Sequence, residues 1–340
     1  MIFYSILEEL LAKQDLPNDK ITHLISETMQ GQLNEVQIAA WLIAMRMKGE
    51  TPSEIAACAQ VMRRMATPIR RGDLPSLFLD TCGTGGDRSH LINISTLVAL
   101  TLAAQGIPVA KHGNRAVSSA SGSADVLEGL GYPLDENPDF IAKRLTQQKF
   151  AFFFAPHYHP AMKYAGPVRR SLGVRTIFNI LGPLSNPASA PIQLMGVYAP
   201  ELLIPLAETL KLLGLKAAMV FHSEDGLDEI SPIECTHYAL LYGDKITTGI
   251  YKPPQQNYLT NLDTIRSSTK EKSLQIFKDT IAGRNAAAAY MVSLNAIFGK
   301  KLFDMVSKGA HIVDLTPTAD DIVEIFDFIQ SGALSDIVQF

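Results

Sequence analysis

The chain has 340 residues, of which 47% are hydrophobic and 19% charged; this balance is typical of a soluble globular protein and excludes a disordered chain. A single compact core rarely needs this length, so we expect one large domain and a smaller one. The net charge of -4 provides no basic face for nucleic acid, and no apolar run reaches the roughly 18 residues of a membrane helix.

The first 70 residues are predicted to be helical. The opening run, MIFYSILEELLAKQ, contains two glutamates and no cationic leader, unlike a signal peptide. Apolar residues recur at helical spacing over residues 3–11 and 21–29. Over residues 38–47 they cover almost the whole circumference of a helix, which must therefore be buried in the core or against another subunit. Residues 51–54, TPSE, are a helix start with a cap and a first-turn proline.

After Asp73, short apolar runs alternate with longer helical stretches, which indicates an α/β domain with a mainly parallel sheet. A hairpin is predicted over residues 237–251, turning at Gly243-Asp244, and the tail is predicted to be helical near residues 286–300 and 320–331. The buried strands are predicted at residues 77–79, 108–110, 150–154, 194–198 and 218–221, and the helices between them near residues 95–105, 121–130, 160–172 and 201–213.

The three cysteines, Cys58, Cys82 and Cys235, are widely separated and lack the spacing of metal ligands. Three such thiols in a chain of this size favour a reducing compartment over a disulfide scaffold. We therefore expect a cytoplasmic protein.

The first candidate ligand-binding loop is DTCGTGGD at residues 80–87, which follows a predicted strand and leads into a helix that starts near residue 93. Its glycines let the backbone approach a ligand closely, and free amides at a helix start favour an anion. An ordinary glycine turn is the alternative. The loop matches neither the Walker pattern nor the dinucleotide fingerprint.

The second loop is KHGNRAVSS at residues 111–119, directly after the next predicted strand, and it continues into SGS at residues 121–123. Two cations, an amide and several hydroxyls at one strand end are typical of a polyanion pocket. Ligands of open α/β sheets bind beyond the carboxyl ends of the strands, so this loop and the preceding one can share a ligand.

Two further segments are weaker taken alone. DGLDE at residues 225–229 presents adjacent carboxylates, which suit Mg²⁺, although a solvated acidic turn is the simpler explanation. HYHPAMK at residues 157–163 and VRRSLG at residues 168–173 offer arginines that could hold a carboxylate in a bidentate fork. Surface arginines are common, however, and His159 could be an ordinary packed histidine.

Together these segments closely resemble the anthranilate phosphoribosyltransferase family, which belongs to the nucleoside phosphorylase-like phosphoribosyltransferases. The order and spacing of the motifs hold over roughly the first 235 residues, and the C-terminal third is less alike. The motifs are QIAAWLIAMRMKGETPSEIA at 37–56, GTGGD at 83–87, NIST at 93–96, KHGNRAVSS at 111–119, SGSADVLEGLG at 121–131, YHPAMK at 158–163, VRRSLGVRTIFNILGPLSNPA at 168–188 and DGLDEISP at 225–232.

The resemblance implies a small all-helical N-terminal domain plus a larger α/β domain with a mainly parallel central sheet, and an active site in the cleft between them. The helical domain would take in residues 1–71, joined by about 160–185, and the α/β domain residues 72–159 and 186–340. It also implies a homodimer formed through the helical domain.

The implied reaction transfers the phosphoribosyl group of phosphoribosyl pyrophosphate (PRPP) to the amine of anthranilate, the second step of tryptophan synthesis from chorismate. No catalytic base is assigned, because the aromatic amine is already neutral near pH 7 and needs positioning more than deprotonation. The cofactor would be Mg²⁺, two ions per subunit, held by Ser95, Asp228 and Glu229. Anthranilate would be bound by Gly83, Asn114, His159 and Arg169.

The resemblance carries a larger set of residues to PRPP. These are Gly83, Gly86, Asp87, Leu91, Asn93, Ile94, Ser95, Thr96, Lys111, His112, Gly113, Asn114, Arg115, Ala116, Val117, Ser118, Ser119 and Ser123. Arg88-Ser89-His90-Leu91 departs from the family pattern, in which position 91 is Ser or Thr, and Ala120 replaces a usual Lys. Leu91 cannot donate the hydrogen bond that a hydroxyl would offer to the pyrophosphate, so we expect Arg88 to supply part of the affinity instead.

Two other functions remain as alternatives. A pyrimidine nucleoside phosphorylase shares the implied fold and a glycine-rich phosphate loop, but not HGNR followed by YHPAMK and VRR. A non-enzymatic relative that binds nucleic acid would have a basic surface and a degraded PRPP site. The net charge of -4 and the intact DGLDE at 225–229 count against that relative, and Leu91 counts slightly for it.

Overall fold

The structure is a computed structural model, and it describes residues 2–87, 89–116, 121–135, 137–254, 261–309 and 315–339. Within these ranges the chain forms an N-terminal group of helices and a seven-stranded sheet covered by further helices. None of the helices in these ranges combines the length and the apolar character needed to cross a membrane.

Four helices open the chain, as the apolar periodicity predicts. Helices α3 and α4 each start with a capping box, formed by Asn34 with Gln37 and by Thr51 with Glu54. Trp41 of α3 is fully buried and donates a hydrogen bond to the hydroxyl of Thr28 at 3.2 Å. The four helices are α1 (Ile2–Leu11), α2 (Asn18–Met29), α3 (Glu35–Lys48) and α4 (Pro52–Arg64).

The central sheet has the strand order β3-β2-β1-β4-β5-β6-β7. The first five strands in that order are parallel, and the last two join as an antiparallel hairpin. This confirms the predicted mainly parallel sheet and the hairpin. The strands are β1 (Leu79–Gly83), β2 (Val109–Gly113), β3 (Phe150–Phe154), β4 (Ile192–Gly196), β5 (Ala217–Ser223), β6 (Thr236–Tyr242) and β7 (Lys245–Tyr251).

Alternating side chains of each strand enter different hydrophobic clusters, because successive residues of a strand point to opposite faces. Leu194 and Met219 join a cluster with helices α5 and α13, whereas Met195 and Val220 join a cluster with the N-terminal helices. The helices of this part are α5 (Ile94–Ala104), α6 (Ser123–Gly129), α7 (Pro138–Gln148), α8 (Ala155–Tyr158), α9 (Met162–Leu172), α10 (Phe178–Leu184), α11 (Leu203–Leu212), α12 (Lys270–Ile281), α13 (Ala286–Lys308) and α14 (Ala319–Gln330).

Helices α9 and α10 return to the N-terminal group. Helix α9 packs against α2 and α3, and α10 packs against α4. The fold is therefore a small helical domain plus a larger α/β domain, as the motifs imply. The exact domain limits stay a prediction.

Two strand boundaries differ from the sequence prediction in a way that matters for the site. Strand β1 extends through Asp80, Thr81 and Cys82, and β2 extends through Lys111 and His112, all of which the sequence prediction assigns to loops. Polar residues are tolerated there because the ladder pairs their backbones, and because hydrogen bonds satisfy the buried Asp80 carboxylate and the buried Lys111 ammonium. The polar groups thus belong to strand ends, which hold them more rigidly than loops would.

Candidate functional site

The candidate site lies beyond the carboxyl ends of β1, β2 and β4, beside the loop that follows β5. Chain order reverses here, because β1 lies between β2 on one side and β4 on the other. Such a switch point opens a crevice at the carboxyl edge of a parallel sheet. The first and second loops and the acidic loop all meet there.

The acidic loop reaches the first loop by crossing over β4. The carboxylate of Asp228 accepts a hydrogen bond from the amide of Gly85 at 2.9 Å. A Cβ atom at Gly83 would lie 2.5 Å from that carboxylate, and a Cβ atom at Gly196 would overlap the carbonyl oxygen of Asp228. Glycine is therefore required at residue 196 for the acidic loop to take this path, and a side chain at residue 83 would displace the Asp228 carboxylate.

Three carboxylates and one buried ammonium converge at this point. Removal from water, and then the nearby charge of Asp87, raise the pKa of Asp228 to about 7. Removal from water and the charge of Asp228 raise the pKa of Glu229 well above its ordinary value. The buried Lys111 ammonium lies within electrostatic range of both carboxylates, and its pKa is lowered by burial. Such crowded carboxylates favour a bound cation or proton over free charge.

Lys111 joins β2 to β1 and to the start of α5. Its Nζ donates to the carbonyl oxygen of Thr81 at 2.5 Å and to Ser95 Oγ at 3.1 Å. The hydroxyl of Thr81 donates in turn to the carbonyl oxygen of Ser95 at 2.9 Å. The buried hydroxyl of Thr96 has no hydrogen-bond partner in the described part of the chain. The first turn of α5 is thus held beside the carboxylates, with its backbone dipole favouring an anion.

The remaining residues of the first loop and of the α5 start have varied roles. Asn93 does not cap α5; its amide donates to the carbonyl oxygen of Ser121 at 2.7 Å and so joins the first loop to the second. Ile94 is buried in the core, so only its backbone could meet a ligand. Leu91 packs against the same core and forms a bridge with Arg266, so its side chain offers nothing polar to the crevice.

In the second loop, Arg115 is committed to an ion pair. Its guanidinium donates to both carboxylate oxygens of Glu128, at 2.6 and 2.8 Å, and to Asp125 at 3.4 Å. A direct phosphate contact by this guanidinium, which the resemblance implies, would have to break that pair. Asn114 accepts a hydrogen bond at its backbone carbonyl from Ser123 Oγ at 3.3 Å. Val117, Ser118, Ser119 and Ala120, and also Arg88, lie outside the described residues.

On the other side of β2, two buried histidines face each other. The rings of His112 and His159 lie 5.2 Å apart in an edge-to-face arrangement. Nδ1 of His112 is hydrogen-bonded to the carbonyl oxygen of Gly182 at 3.1 Å, and Nε2 of His159 to that of Ser185 at 3.0 Å. Burial lowers the pKa of His112 to about 3 and that of His159 to about 4. Both rings are therefore neutral at physiological pH and suit a flat, uncharged part of a ligand.

Arg169 on α9 is a half-buried cation that has no counter-ion among the residues the structure describes. Its guanidinium lies 5.4 Å from the centroid of the Phe178 ring, and in the described ranges it makes no hydrogen bond or ion pair. Burial lowers its pKa, but an arginine stays charged at neutral pH. A guanidinium that has no counter-ion is suited to an incoming carboxylate.

Sequence reasoning missed three residues that build the site. Arg175 donates to the carbonyl oxygen of Gly86 and stacks 3.7 Å from the centroid of the Tyr198 ring. Asn186 holds Asp80 at 2.8 Å, and Asn295 of α13 holds the backbone of Ile230, next to the acidic loop, at 2.8 and 3.0 Å. Arg175 and Asn186 lie within the quoted motifs, as parts of RTIFN and NPA. No sequence pattern, however, indicates the distant residues with which they form hydrogen bonds.

Comparison with known proteins gives a consistent picture. The family described as "Glycosyl transferase family, a/b domain" matches residues 76–315, and the "Glycosyl transferase family, helical bundle domain" matches residues 4–66. The anthranilate phosphoribosyltransferase of Alkalilimnicola ehrlichii is 47% identical over 283 residues, 83% of each chain. That of Persephonella marina is 41% identical over 326 residues, 94% of this chain and 96% of the relative.

Solved structures agree with these matches. The crystal structure of anthranilate phosphoribosyltransferase from Thermus thermophilus has a TM-score of 0.85 at 33% identity, and the alignment covers 98% of this chain and 97% of that one. The Saccharomyces cerevisiae enzyme in complex with PRPP and Mg has a TM-score of 0.82 at 24% identity, covering 99% of this chain and 96% of that one. The likeness to the yeast enzyme shows the fold alone.

Proposed function

The chain belongs to the anthranilate phosphoribosyltransferase family, and from this premise we propose that it transfers the 5-phosphoribosyl group of PRPP to the amine of anthranilate. The products are N-(5-phosphoribosyl)anthranilate and pyrophosphate. One observation carries the assignment to this crevice: the carboxylates of the acidic loop, the ammonium of Lys111 and the start of α5 converge at the ends of β1 and β2. A Mg²⁺-bound pyrophosphate fits this combination of charges.

The donor set fits Mg²⁺. Asp228 and Glu229, with the hydroxyl of Ser95 beside them, provide hard oxygen ligands, and their raised pKa values mark a place where added positive charge is favourable. In the described ranges, no three His, Cys, Asp or Glu side chains are arranged to hold a metal by themselves. Water and substrate oxygens would complete the coordination, which is the usual arrangement for Mg²⁺. We propose two ions per subunit, whose charge would neutralise the departing pyrophosphate.

The same geometry supports a phosphate-binding role for the first and second loops. The amide of Gly86, the backbone from Asn93 to Thr96, and Lys111 line the strand ends where the polyanion would lie. Lys111 is already held by Thr81 and Ser95, so it would meet the substrate without reorganisation. The PRPP contacts of Asp87, Gly113, Asn114, Ala116 and Ser123 stay predictions.

For the acceptor, we propose that Arg169 binds the carboxylate of anthranilate and that the ring lies against the neutral His112–His159 pair. The amine would then be directed at the ribose from the side opposite the pyrophosphate. Because the aromatic amine is neutral, the protein's work is to hold the two reactants at reacting distance and to exclude water. None of the described groups needs to act as a general base.

Two features of the surroundings are also proposals. Helices α1 and α3 expose large apolar side chains, among them Tyr4 (65% exposed), Val36 (78%) and Met47 (74%), which suits a homodimer formed through the helical domain. A molecular mass determined by light scattering tests this. The three cysteines are free thiols, which suits a cytoplasmic location.

The activity is tested by following anthranilate fluorescence in the presence of PRPP and Mg²⁺. We expect the fluorescence to fall only when both are present, and chelation of the metal to stop the reaction. Loss of fluorescence without PRPP, or none under any condition, contradicts the proposal. Supplying thymidine or uridine with phosphate separates this activity from that of a nucleoside phosphorylase.

A further inference from the structure

The segment that leads into α12 contacts the residues that follow the first loop directly and reaches the second loop through a carboxylate on α6. We call residues 262–270 the strap. Leu262 and Ile265 anchor it in the core of the α/β domain, where their exposed fractions are 5% and 0%. Its other side carries hydrogen-bonding groups toward the two loops, and no sequence motif indicates this role.

The strap pairs like a short strand with residues 90–92, which join the first loop to α5. The amide of Ile92 donates to the carbonyl oxygen of Ile265 at 3.0 Å, and the amide of Ser267 donates to that of His90 at 2.8 Å. Leu91 and Arg266 face each other between these bonds as an antiparallel bridge. The strap thus fixes the backbone directly before α5, whose first turn faces the carboxylates.

The strap also anchors the second loop, through a carboxylate on α6. Lys270 Nζ donates to Asp125 at 2.7 Å. The other oxygen of Asp125 accepts from the amides of Ala116 at 3.0 Å and Gly122 at 2.9 Å, on either side of residues 117–120. Burial alone would raise the pKa of Asp125, but these hydrogen bonds hold it at about 2.

The two contacts are rigidly connected. Only two residues separate Ser267 from Lys270, and the hydroxyl of Ser267 donates to the carbonyl oxygen of Thr269 at 2.7 Å. The hydroxyl of Thr269 caps α12 by accepting from the amide of Lys272 at 3.2 Å. The contact with residues 90–92 and the contact with Asp125 are therefore joined by a short, internally bonded segment.

We propose that the strap sets the spacing of the first and second loops, and that Lys270 is a positioning residue for PRPP acting through Asp125. This role rests on the proposed function, because PRPP is the ligand expected to bridge the two loops. Lys270 itself need not touch substrate. Its loss would leave Asp125, and with it the backbone at Ala116 and Gly122, less firmly held, so part of the free energy of PRPP binding would be used to position them.

The test compares Lys270→Met with Lys272→Met, a lysine two positions along the same helix whose exposed side chain has no partner in the described part of the chain. Lys270→Met should raise the KM for PRPP by about three- to tenfold, as expected for a charge-assisted hydrogen bond acting indirectly, with kcat and the KM for anthranilate little changed. Lys270→Arg should restore most of the loss, and Lys272→Met should behave as the native protein.

Hydrogen exchange of the substrate-free proteins gives a readout that does not depend on activity. Lys270→Met should speed exchange of the amides of Ala116 and Gly122, while exchange in β1 stays unchanged. If Lys270→Met keeps both the native KM for PRPP and the native exchange rates, the proposed role of the strap is wrong while the proposed function stands. The same conclusion follows if the variant raises the KM for PRPP and the KM for anthranilate equally. A native protein that does not bind PRPP at all overturns the proposed function, and this role of the strap with it.

Discussion

Replacing Arg169 by Met tests the acceptor site while keeping the packing of α9. The methionine side chain can still lie against Phe178, so the change removes the charge and the hydrogen-bonding fork but little apolar contact. The guanidinium is half-buried and has no counter-ion among the described residues, so no internal ion pair is lost with it. The variant should therefore fold as the native protein does.

The expected magnitude follows from the bond that would be lost. A charge-assisted hydrogen bond contributes about 1.5–3 kcal/mol, and each 1.4 kcal/mol corresponds to about tenfold in affinity. The KM for anthranilate should thus rise by about tenfold to about 150-fold. Since the carboxylate is bound equally in the ground state and the transition state, kcat should change much less.

The assay is the initial rate of anthranilate fluorescence loss at saturating PRPP and Mg²⁺, over a range of anthranilate concentrations. Arg170→Met is the matched control, because Arg170 is the exposed neighbour on the same helix. An unchanged anthranilate KM in Arg169→Met, or equal effects in both variants, would refute the assignment of Arg169 to the acceptor carboxylate.

Three further predictions follow from the described geometry. Replacing Asp228 by Asn together with Glu229 by Gln should abolish turnover without lowering Tm, because repulsion between buried carboxylates is relieved; retained Mg²⁺-dependent turnover would contradict the metal site. His112 and His159 have depressed pKa values in the folded protein, so the unfolded chain binds more protons below pH 6.5 and stability falls as the pH drops. Between pH 6.5 and 5 each histidine should lower the free energy of unfolding by about 1.6 kcal/mol. The combined His112→Asn and His159→Gln variant, whose side-chain amides can donate the same two hydrogen bonds, should lose less stability over this range in urea unfolding; an equal loss would show that the histidines do not titrate as described. Arg175→Met should raise the KM for PRPP by about three- to tenfold, because the hydrogen bond to the first loop is lost. Native kinetics in this variant would show that the bond does not contribute to PRPP binding.

The sheet and the placement of its polar loops are largely predictable, because local sequence patterns indicate them. Alternating apolar runs indicate the five parallel strands and the hairpin, and the polar loops after β1 and β2 have to share one edge once those strands are parallel. DGLDE is ambiguous alone, since an acidic turn is common. Its position beside Gly85 and Lys111 depends on β5 lying next to β4, which no local pattern specifies.

The rest depends on contacts between distant parts of the chain. The guanidinium of Arg115 is chemically suited to bind phosphate, yet it forms an ion pair with Glu128 on α6 instead. Leu91 stands where the family has a hydroxyl, and the structure shows it packed on the core opposite Arg266. The role of Lys270 requires knowing that α12, which the sequence prediction does not include, starts beside Asp125.

The most direct test of the central claim is a simultaneous measurement of anthranilate consumption and pyrophosphate release by the native protein with PRPP and Mg²⁺. If the crevice at the ends of β1 and β2 performs the transfer, pyrophosphate should appear in equimolar amount to the anthranilate consumed, and neither change should occur without the metal. The Asp228→Asn, Glu229→Gln variant should release none. Pyrophosphate release that ignores anthranilate, or full activity in that variant, would contradict the account.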